Sequence, residues 1–526
     1  MTAAPLALAA LLATLLAQAT PAESPPPAAA ATPPEAPATA PPPAAPPPAE
    51  APPAETPAPP TGDVPELAFD RSELDNGLEL IVHSDPRLPV VCAELWVRVG
   101  AFDEERGKSG LAHLFEHLRF QGSKHNPGDG HLKLLEAVGG TGIEGLTDPD
   151  FTRYRACVPN NEVELLLWLE ADRMAWMLDV VGGAQLDEQR AVVRNERWQH
   201  VDNLPYGPGD EALWAAMFPA DHPYRGTVLG NPKDLDSVSM GDVVGFYDRF
   251  YAPSNATLAI SGDIAVPDAK KLVDKYFRTL PKWEKPSRRT VAMPLLNAEV
   301  RVEVEDRLAL VPRVSMAFFS PPAFQNGSAD LEVLGLLLAD GQASRLHQAL
   351  VVDGKLAQAV SCRFTSMANV SVLKIDVVVR PEANPEDVVN GIQAQLDLLK
   401  DLPPSAEELE RAVTAFETRR LASLQHPRGR AEVLQRYRNL AGDPGFLARD
   451  LARYRAVTPD TTLAAVNGFL GQERRAVAIV RPARPAPPPA AAPAPEAPAA
   501  PAEAAAPATP AEGASSPAPA PGKDGG

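Results

Sequence analysis

Two stretches of this chain cannot fold, and they fix where a fold can lie. Residues 21–62 are almost wholly Pro, Ala, Glu and Thr, and residues 484–526 repeat that composition. Such segments carry too little apolar surface to offset the entropy lost on ordering them, and their prolines favour extended polyproline geometry. They read as a disordered linker and a disordered tail around one long folding body. Residues 1–20 precede them, with an apolar run from Leu6 to Leu16 and small residues at Ala17 and Ala19. That is a secretory signal pattern with an A-x-A-like exit, although the basic start is missing; a plain Ala-rich beginning is the alternative. The signal reading makes the protein secreted or periplasmic. No later apolar run reaches 18 residues, so no transmembrane span is expected.

Within the body, strand and helix patterns alternate twice. Asn76-Gly77 marks a hairpin turn before the alternating run Leu78–His83, and Val90–Val99 is the next strand. Helical patterns follow at 128–138, 160–178, 186–200, 210–217, 240–250 and 266–277, with strands at 152–158 and 256–261. Pro281–Pro286 reads as a linker. Strands at 314–319, 372–379 and 476–480 and helices at 331–338 and from Pro385, Ser405 and Arg430 then repeat the plan. The fold class is α+β: an N-terminal domain over 63–283 and a homologous domain over 287–482. In this plan Gly341–Leu350 takes the place that Leu111–Leu118 holds in the first half. The cysteines are Cys92, Cys157 and Cys362; an odd number excludes full pairing, no pair has metal spacing, and buried free thiols are expected. With 49 basic and 68 acidic residues the net charge is −19, which argues against nucleic acid or an anionic membrane as partner.

One stretch carries chemistry: Gly110-Leu-Ala-His113-Leu-Phe-Glu116-His117-Leu118. On a helix, His113 and His117 are i and i+4, so two neutral imidazoles can bind one metal ion. Glu116 lies on the same face, where it can take a proton from water. Two solvated histidines on a surface helix are the bland alternative.

At these residues the chain resembles the pitrilysin or insulinase-like zinc peptidases, whose inverted motif is H-x-x-E-H. The flanks Gly110, Phe120, Gln121, Gly122 and Ser123 add to the likeness, which runs from about Leu74 to about Val480. The two-domain members, including the mitochondrial processing peptidases and their bacterial counterparts, are the nearest type. The resemblance implies two α/β-sandwich domains, each an antiparallel sheet packed with helices, enclosing a chamber. It implies one Zn2+ per chain, held by His113, His117 and Glu196, with Glu116 as catalytic base. Glu196 lies 79 residues after His117; Glu188 and His200 are rival ligands. The substrate would be an extended peptide added as a strand to a sheet edge.

Two departures qualify the likeness. Where relatives carry Asn-Ala on the edge strand, this chain has Glu144-Gly145 and one extra residue, which could place a negative charge near substrate or be a loop variation of no consequence. Active single-chain relatives also carry an Arg and, seven residues later, a Tyr in the second half; here Val351 and Gln358 stand there. Arg430 and Tyr437 share the spacing but not the surroundings. The resemblance therefore implies a zinc endopeptidase subunit acting with a homologous partner that supplies the Arg/Tyr pair, or a homodimer. The alternative is a non-catalytic peptide-binding or structural subunit of the same fold.

Overall fold

The computed structural model describes residue 64 and residues 66–483. The segments read above as signal, linker and tail (1–20, 21–62 and 484–526) lie outside the described residues. Among the described residues no helix is long and apolar enough to cross a membrane.

The first sheet is built from β1 (Asp70–Glu73), β2 (Glu79–Ser84) and β3 (Val90–Val97). A small hairpin, β4 (Gly122–Ser123) with β5 (Asn126–Pro127), stands apart; β6 (Thr141–Thr147), β7 (Thr152–Pro159) and β8 (Ala256–Gly262) complete the sheet. Its order is β1-β2-β8-β3-β7-β6, and β2 and β8 are its parallel pair. The second sheet contains β9 (Val300–Asp306), β10 (Arg313–Ser320), β11 (Ala357–Thr365), β12 (Ser371–Val379) and β13 (Arg475–Pro482), in the order β11-β12-β10-β13-β9. Here β9 and β13 are the parallel pair. Laid side by side, β9, β13, β10, β12 and β11 reproduce the neighbours and directions of β2, β8, β3, β7 and β6. The two halves are one topology used twice. The segment 281–298 between them carries neither helix nor strand.

Local sequence explains the first turn. The Asn76 side chain accepts from Leu78 N at 3.2 Å and donates to Phe277 O at 2.7 Å, so the turn before β2 is tied to the end of helix Val266–Phe277. Asn is suited to such side-chain-closed turns.

The alternation read in Leu78–His83 does not translate into one wet face. Glu79–His83 is buried throughout. Leu80 and Val82 join the core under the first half's own helices, while Ile81 and Ala259 pack on Ala431 and Leu434 of helix Pro427–Ala441. That helix belongs to the second half and lies across β2, β3 and β8. The exchange is reciprocal. Helix Gly207–Met217 of the first half packs on β9 and β13, and its Leu213 and Met217 share a core with Ala317, Phe319, Ala476 and Ala478. Polar contacts fix both crossings. Gln435 Nε2 donates to the carbonyls of Glu94 and Thr257, both at 2.7 Å, and Arg313 donates to Asp210 at 2.5 Å.

Two expectations are corrected. Cys92 and Cys157 are not free thiols: they stand opposite each other on β3 and β7 and form a disulfide, leaving Cys362 as the free thiol. Nor is Gly341–Leu350 the counterpart of the motif helix. Helix Ser328–Ala339 directly follows β10 and packs on β11 and on helix Ala406–Ser423, as helix Leu111–Leu118 follows β3 and packs on β6 and on helix Gly183–Arg197. The π-helical turn His347–Asp353 instead sits where helix Gly130–Ala137 sits in the first half.

The disulfide spans 65 residues of sequence. Such a cross-link contributes about 2–4 kcal/mol by restricting the unfolded chain. Peptide mapping without reductant should recover Cys92 joined to Cys157, and the C92S/C157S double variant should unfold at clearly lower urea. An unchanged midpoint would show that the cross-link contributes nothing.

Candidate metal centre

The motif helix, Leu111–Leu118, is held by its apolar stripe and by its start. Leu111, Ala112, Leu114, Phe115 and Leu118 are buried in the first core, with the Phe115 ring tilted against that of Tyr251 at a centroid distance of 4.2 Å. Its first turn donates Gly110 N (3.0 Å) and Ala112 N (2.8 Å) to the carboxylate of Glu104. Glu104 thus serves the backbone donors that a helix start leaves open, one of the places where an anion is favoured. Burial pushes its carboxyl up to about 8.

One turn further on, the His113 and His117 rings meet edge to face with centroids 4.7 Å apart, and their Nε2 atoms are 3.3 Å apart. Glu196 comes from helix Gly183–Arg197, whose inward stripe is Leu186, Gln189 and Val193. Gln189 and Glu196 are two turns apart on one face, and both reach His117. Gln189 Oε1 lies 3.3 Å from Nδ1, and Glu196 Oε2 lies 3.4 Å from Nε2 and 3.6 Å from Nε2 of His113. Ligands about 2.0–2.1 Å from one tetrahedral zinc stand roughly 3.3 Å from each other, so this donor set fits such an ion. With Nδ1–H of His117 given to Gln189, Nε2 is the free lone pair, the usual role of a residue behind a metal ligand. Burial, followed by the neighbouring His117, brings His113 down to about 4, which keeps it neutral as metal ligation requires. Burial alone would lower His117 too, but its hydrogen bond and charge pairing with Glu196 raise it. Glu188 is exposed, and His200 is exposed in the π-helical turn Trp198–Asp202; neither joins the three donor atoms, which lie within 4.8 Å of one another.

Glu116 faces the edge strand β6. The Thr147 hydroxyl donates to its Oε2 at 2.7 Å. Gly145 gives it room, since a Cβ there would lie 2.3 Å from Oε1. Burial raises the Glu116 carboxyl above its usual range, with the Thr147 hydrogen bond opposing. A buried carboxylate with one fixed hydrogen bond beside a metal-sized donor set is equipped to hold and release a proton.

The departures noted in the sequence have definite places. The extra residue is a bulge: the register with β7 passes from Thr141↔Cys157 to Glu144↔Arg155, with Gly142 at φ 60°. Glycine takes that backbone conformation without strain. The alternation then puts Gly145 and Thr147 on the Glu116 side and Glu144 on the other. There Glu144 is neutralised by Arg155 and by Arg428 of the second half, the latter at 3.0 Å. Val351 is half-buried against the second core, and Gln358 is exposed on the edge strand β11. Arg430 and Tyr437 do not replace them: Arg430 is bound to Asp85 and the carbonyls of Leu424 and Gln425, and Tyr437 donates to Asp450 at 2.8 Å. Sequence reading missed the supporting residues Glu104, Gln189 and Thr147; nothing local separates Glu104 from its acidic neighbours Asp103 and Glu105, whereas Gln189 had a helical i, i+7 spacing to Glu196 and Thr147 stood two residues after the edge-strand Gly145.

Profiles of two domains match this chain: "Insulinase (Peptidase family M16)" over residues 80–219 and "Peptidase M16 inactive domain" over 237–416. The chain belongs to the M16 peptidase family. Among curated relatives it is 26% identical over 348 residues to the zinc protease PqqE of Helicobacter pylori, covering 64% of this chain and 76% of that protein. It is 25% identical over 244 residues to the mitochondrial-processing peptidase subunit beta of Blastocladiella emersonii, 46% of this chain and 51% of that one. Among solved structures, a protease from Helicobacter pylori superposes with a TM-score of 0.75 at 22% identity, over 79% of this chain and all of that chain. The first half of the periplasmic protease PqqL from Escherichia coli gives 0.65 at 18% identity, over 80% of this chain and 93% of that chain. These two share the fold. The label of the second profile agrees with helix Ser328–Ala339, the counterpart of the motif helix, which has no histidine.

Thr147→Val removes one hydrogen bond to a charged group, worth about 1.5–3 kcal/mol. If the chain hydrolyses peptides, metal content should stay at the wild-type level while hydrolysis falls about tenfold or more. Equal loss of metal and activity would place Thr147 in the fold rather than beside a working Glu116.

Proposed function

We propose that this protein is a zinc-dependent endopeptidase subunit that hydrolyses extended peptides. The observation that carries the reading is the convergence of His113, His117 and Glu196 from two helices, with buried Glu116 next to them. His113, His117 and Glu196 would hold one Zn2+. When bound, the ion would bring the pKa of a water towards neutrality and polarise the scissile carbonyl. Glu116 takes the proton as that water attacks, and Thr147 holds the carboxylate in line for the transfer. Glu116 then returns the proton to the leaving amine. The open edge of β6 offers backbone groups to which an extended substrate would add as a strand. Family membership and the names of relatives such as zinc protease PqqE support this chemistry.

Secretion to the periplasm or beyond is supported by the apolar start Leu6–Leu16 and by the Cys92–Cys157 disulfide, which persists in oxidising compartments. The assembly is proposed to include a homologous partner that supplies the Arg/Tyr pair missing at Val351 and Gln358, or a second copy of this chain. A second reading, a peptide-binding subunit without chemistry, is favoured by that same gap.

Metal analysis separates ligands from base. Glu116→Gln should keep about one zinc per chain and lose hydrolysis, whereas Glu196→Gln should lose zinc. Full zinc and full activity in the Glu196 variant would remove it from the ligand set. Assembly is tested kinetically. Missing oxyanion donors typically cost roughly 10²–10³ in kcat. The purified chain alone should therefore cleave unstructured peptides weakly, and addition of the partner should restore turnover. Robust cleavage by the lone chain, abolished by Glu116→Gln, would end the split-site idea; zinc-loaded protein that stays inert with every homologous partner would favour the non-catalytic reading.

A further inference from the structure

A cavity of about 320 Å³ lies where the connecting segment crosses the first sheet, and a second of about 170 Å³ adjoins it. Arg98, Asn255 and Lys285 line both. Arg98 directly follows β3 and is half-buried. Among the described residues its guanidinium has no hydrogen bond, no carboxylate within ion-pair distance and no aromatic face. Lys285, on the connecting segment, likewise has no ion pair. The half-buried Arg98 guanidinium is partly taken from water without a partner, which is costly, and the exposed Lys285 ammonium on the same cavity adds repulsion.

The other cavity groups leave that positive field standing. Glu79 is taken by Arg438 and by Arg71 at 2.6 Å, and Asp103 by Arg288 at 3.4 Å. Glu73 and Glu284 also line the larger cavity, but both are exposed to solvent. Burial, then the charges of Arg288 and Arg438, disfavours the cationic form of Arg98; burial, then Arg98 and Arg438, does the same for Lys285. The Nε–H of Arg288, on the smaller cavity, is buried without an acceptor among the described residues.

We propose that this junction cavity binds a small phosphate-type oxyanion, held by Arg98 and Lys285. A planar guanidinium presents paired donors that match a phosphate, and an ammonium adds a point charge. The volume is at the small end for ligand pockets, which selects a compact ligand. Its occupant would touch the end of β3, the connecting segment and Arg438 on the second half's covering helix, so it would stiffen the junction between the halves. This site shares no lining residue with His113, His117 and Glu196 and stands whether or not the chain hydrolyses peptides.

The test uses the full chain with inorganic phosphate and pyrophosphate as probes, read by calorimetry and by thermal shift against sodium chloride of equal ionic strength. Saturable binding is expected, with a rise in Tm that chloride does not reproduce. Lys285→Gln, at an exposed position that leaves folding intact, should weaken binding at least tenfold, and Arg98→Gln should abolish it. A Tm response identical to that of chloride, or wild-type affinity in Lys285→Gln, would overturn the proposal.

Discussion

Each sheet in this protein has two apolar faces and only one layer of helices from its own half. β8 is buried at every position, and β3 at all but its first. A sheet of that kind needs cover on both sides. The cover comes by exchange: helix Pro427–Ala441 closes the first sheet and helix Gly207–Met217 the second. Neither half could bury its strands alone, so the half without the H-x-x-E-H motif is required for the fold of the half that has it.

That dependence reaches the metal centre through the edge strand. Arg153 and Arg155 on β7 pair with Glu432 at 2.9 and 3.0 Å, and Arg428 pairs with Glu144 on β6. Both partners from the second half, Glu432 and Arg428, lie on its covering helix. The strand that presents Thr147 and Gly145 to Glu116 on one side is thus anchored to the second half on the other. Because successive strand residues point to opposite faces, a single strand can serve the base and the interdomain contact together. The bulge at Gly142 sets which residues do which, since a shift of one position would exchange Glu144 with Gly145.

What was legible in the sequence follows from how local each signal is. H-x-x-E-H needs one helix turn, so His113, Glu116 and His117 could be read directly. Glu196 lies on another helix and was reached through resemblance to a family; no local pattern separates it from Glu188. Strand and helix positions came from periodicity, yet the two-sided burial of Glu79–His83 did not, because the covering helix is more than 340 residues away. The Cys92–Cys157 pairing escaped for a related reason. It depends on the register of β3 against β7, and composition carries no register. The counterpart of the motif helix was misplaced because helix Ser328–Ala339 has no histidine, and its polar residues Ser328, Asp330 and Glu332 do not repeat the motif spacing.

Duplication also explains why the missing Arg/Tyr pair weighs more than the change at Glu144. A substitution on β6 can be absorbed locally: the bulge takes up the extra residue, and two arginines neutralise the carboxylate. Val351 and Gln358 have no such local remedy. Val351 is packed against the second core, where a cation would be desolvated, and nearby Arg345 is committed to Glu408 at 2.8 Å. Tyr437, the one phenol at matching spacing, is buried against Asp450. Long polar side chains cannot be redirected from such positions without leaving buried partners unpaired, at a cost of about 1–3 kcal/mol each. Under the proposed split site, the completing groups would come from outside this chain's second core, and β6 and β11 are each one of the two edge strands of their sheets.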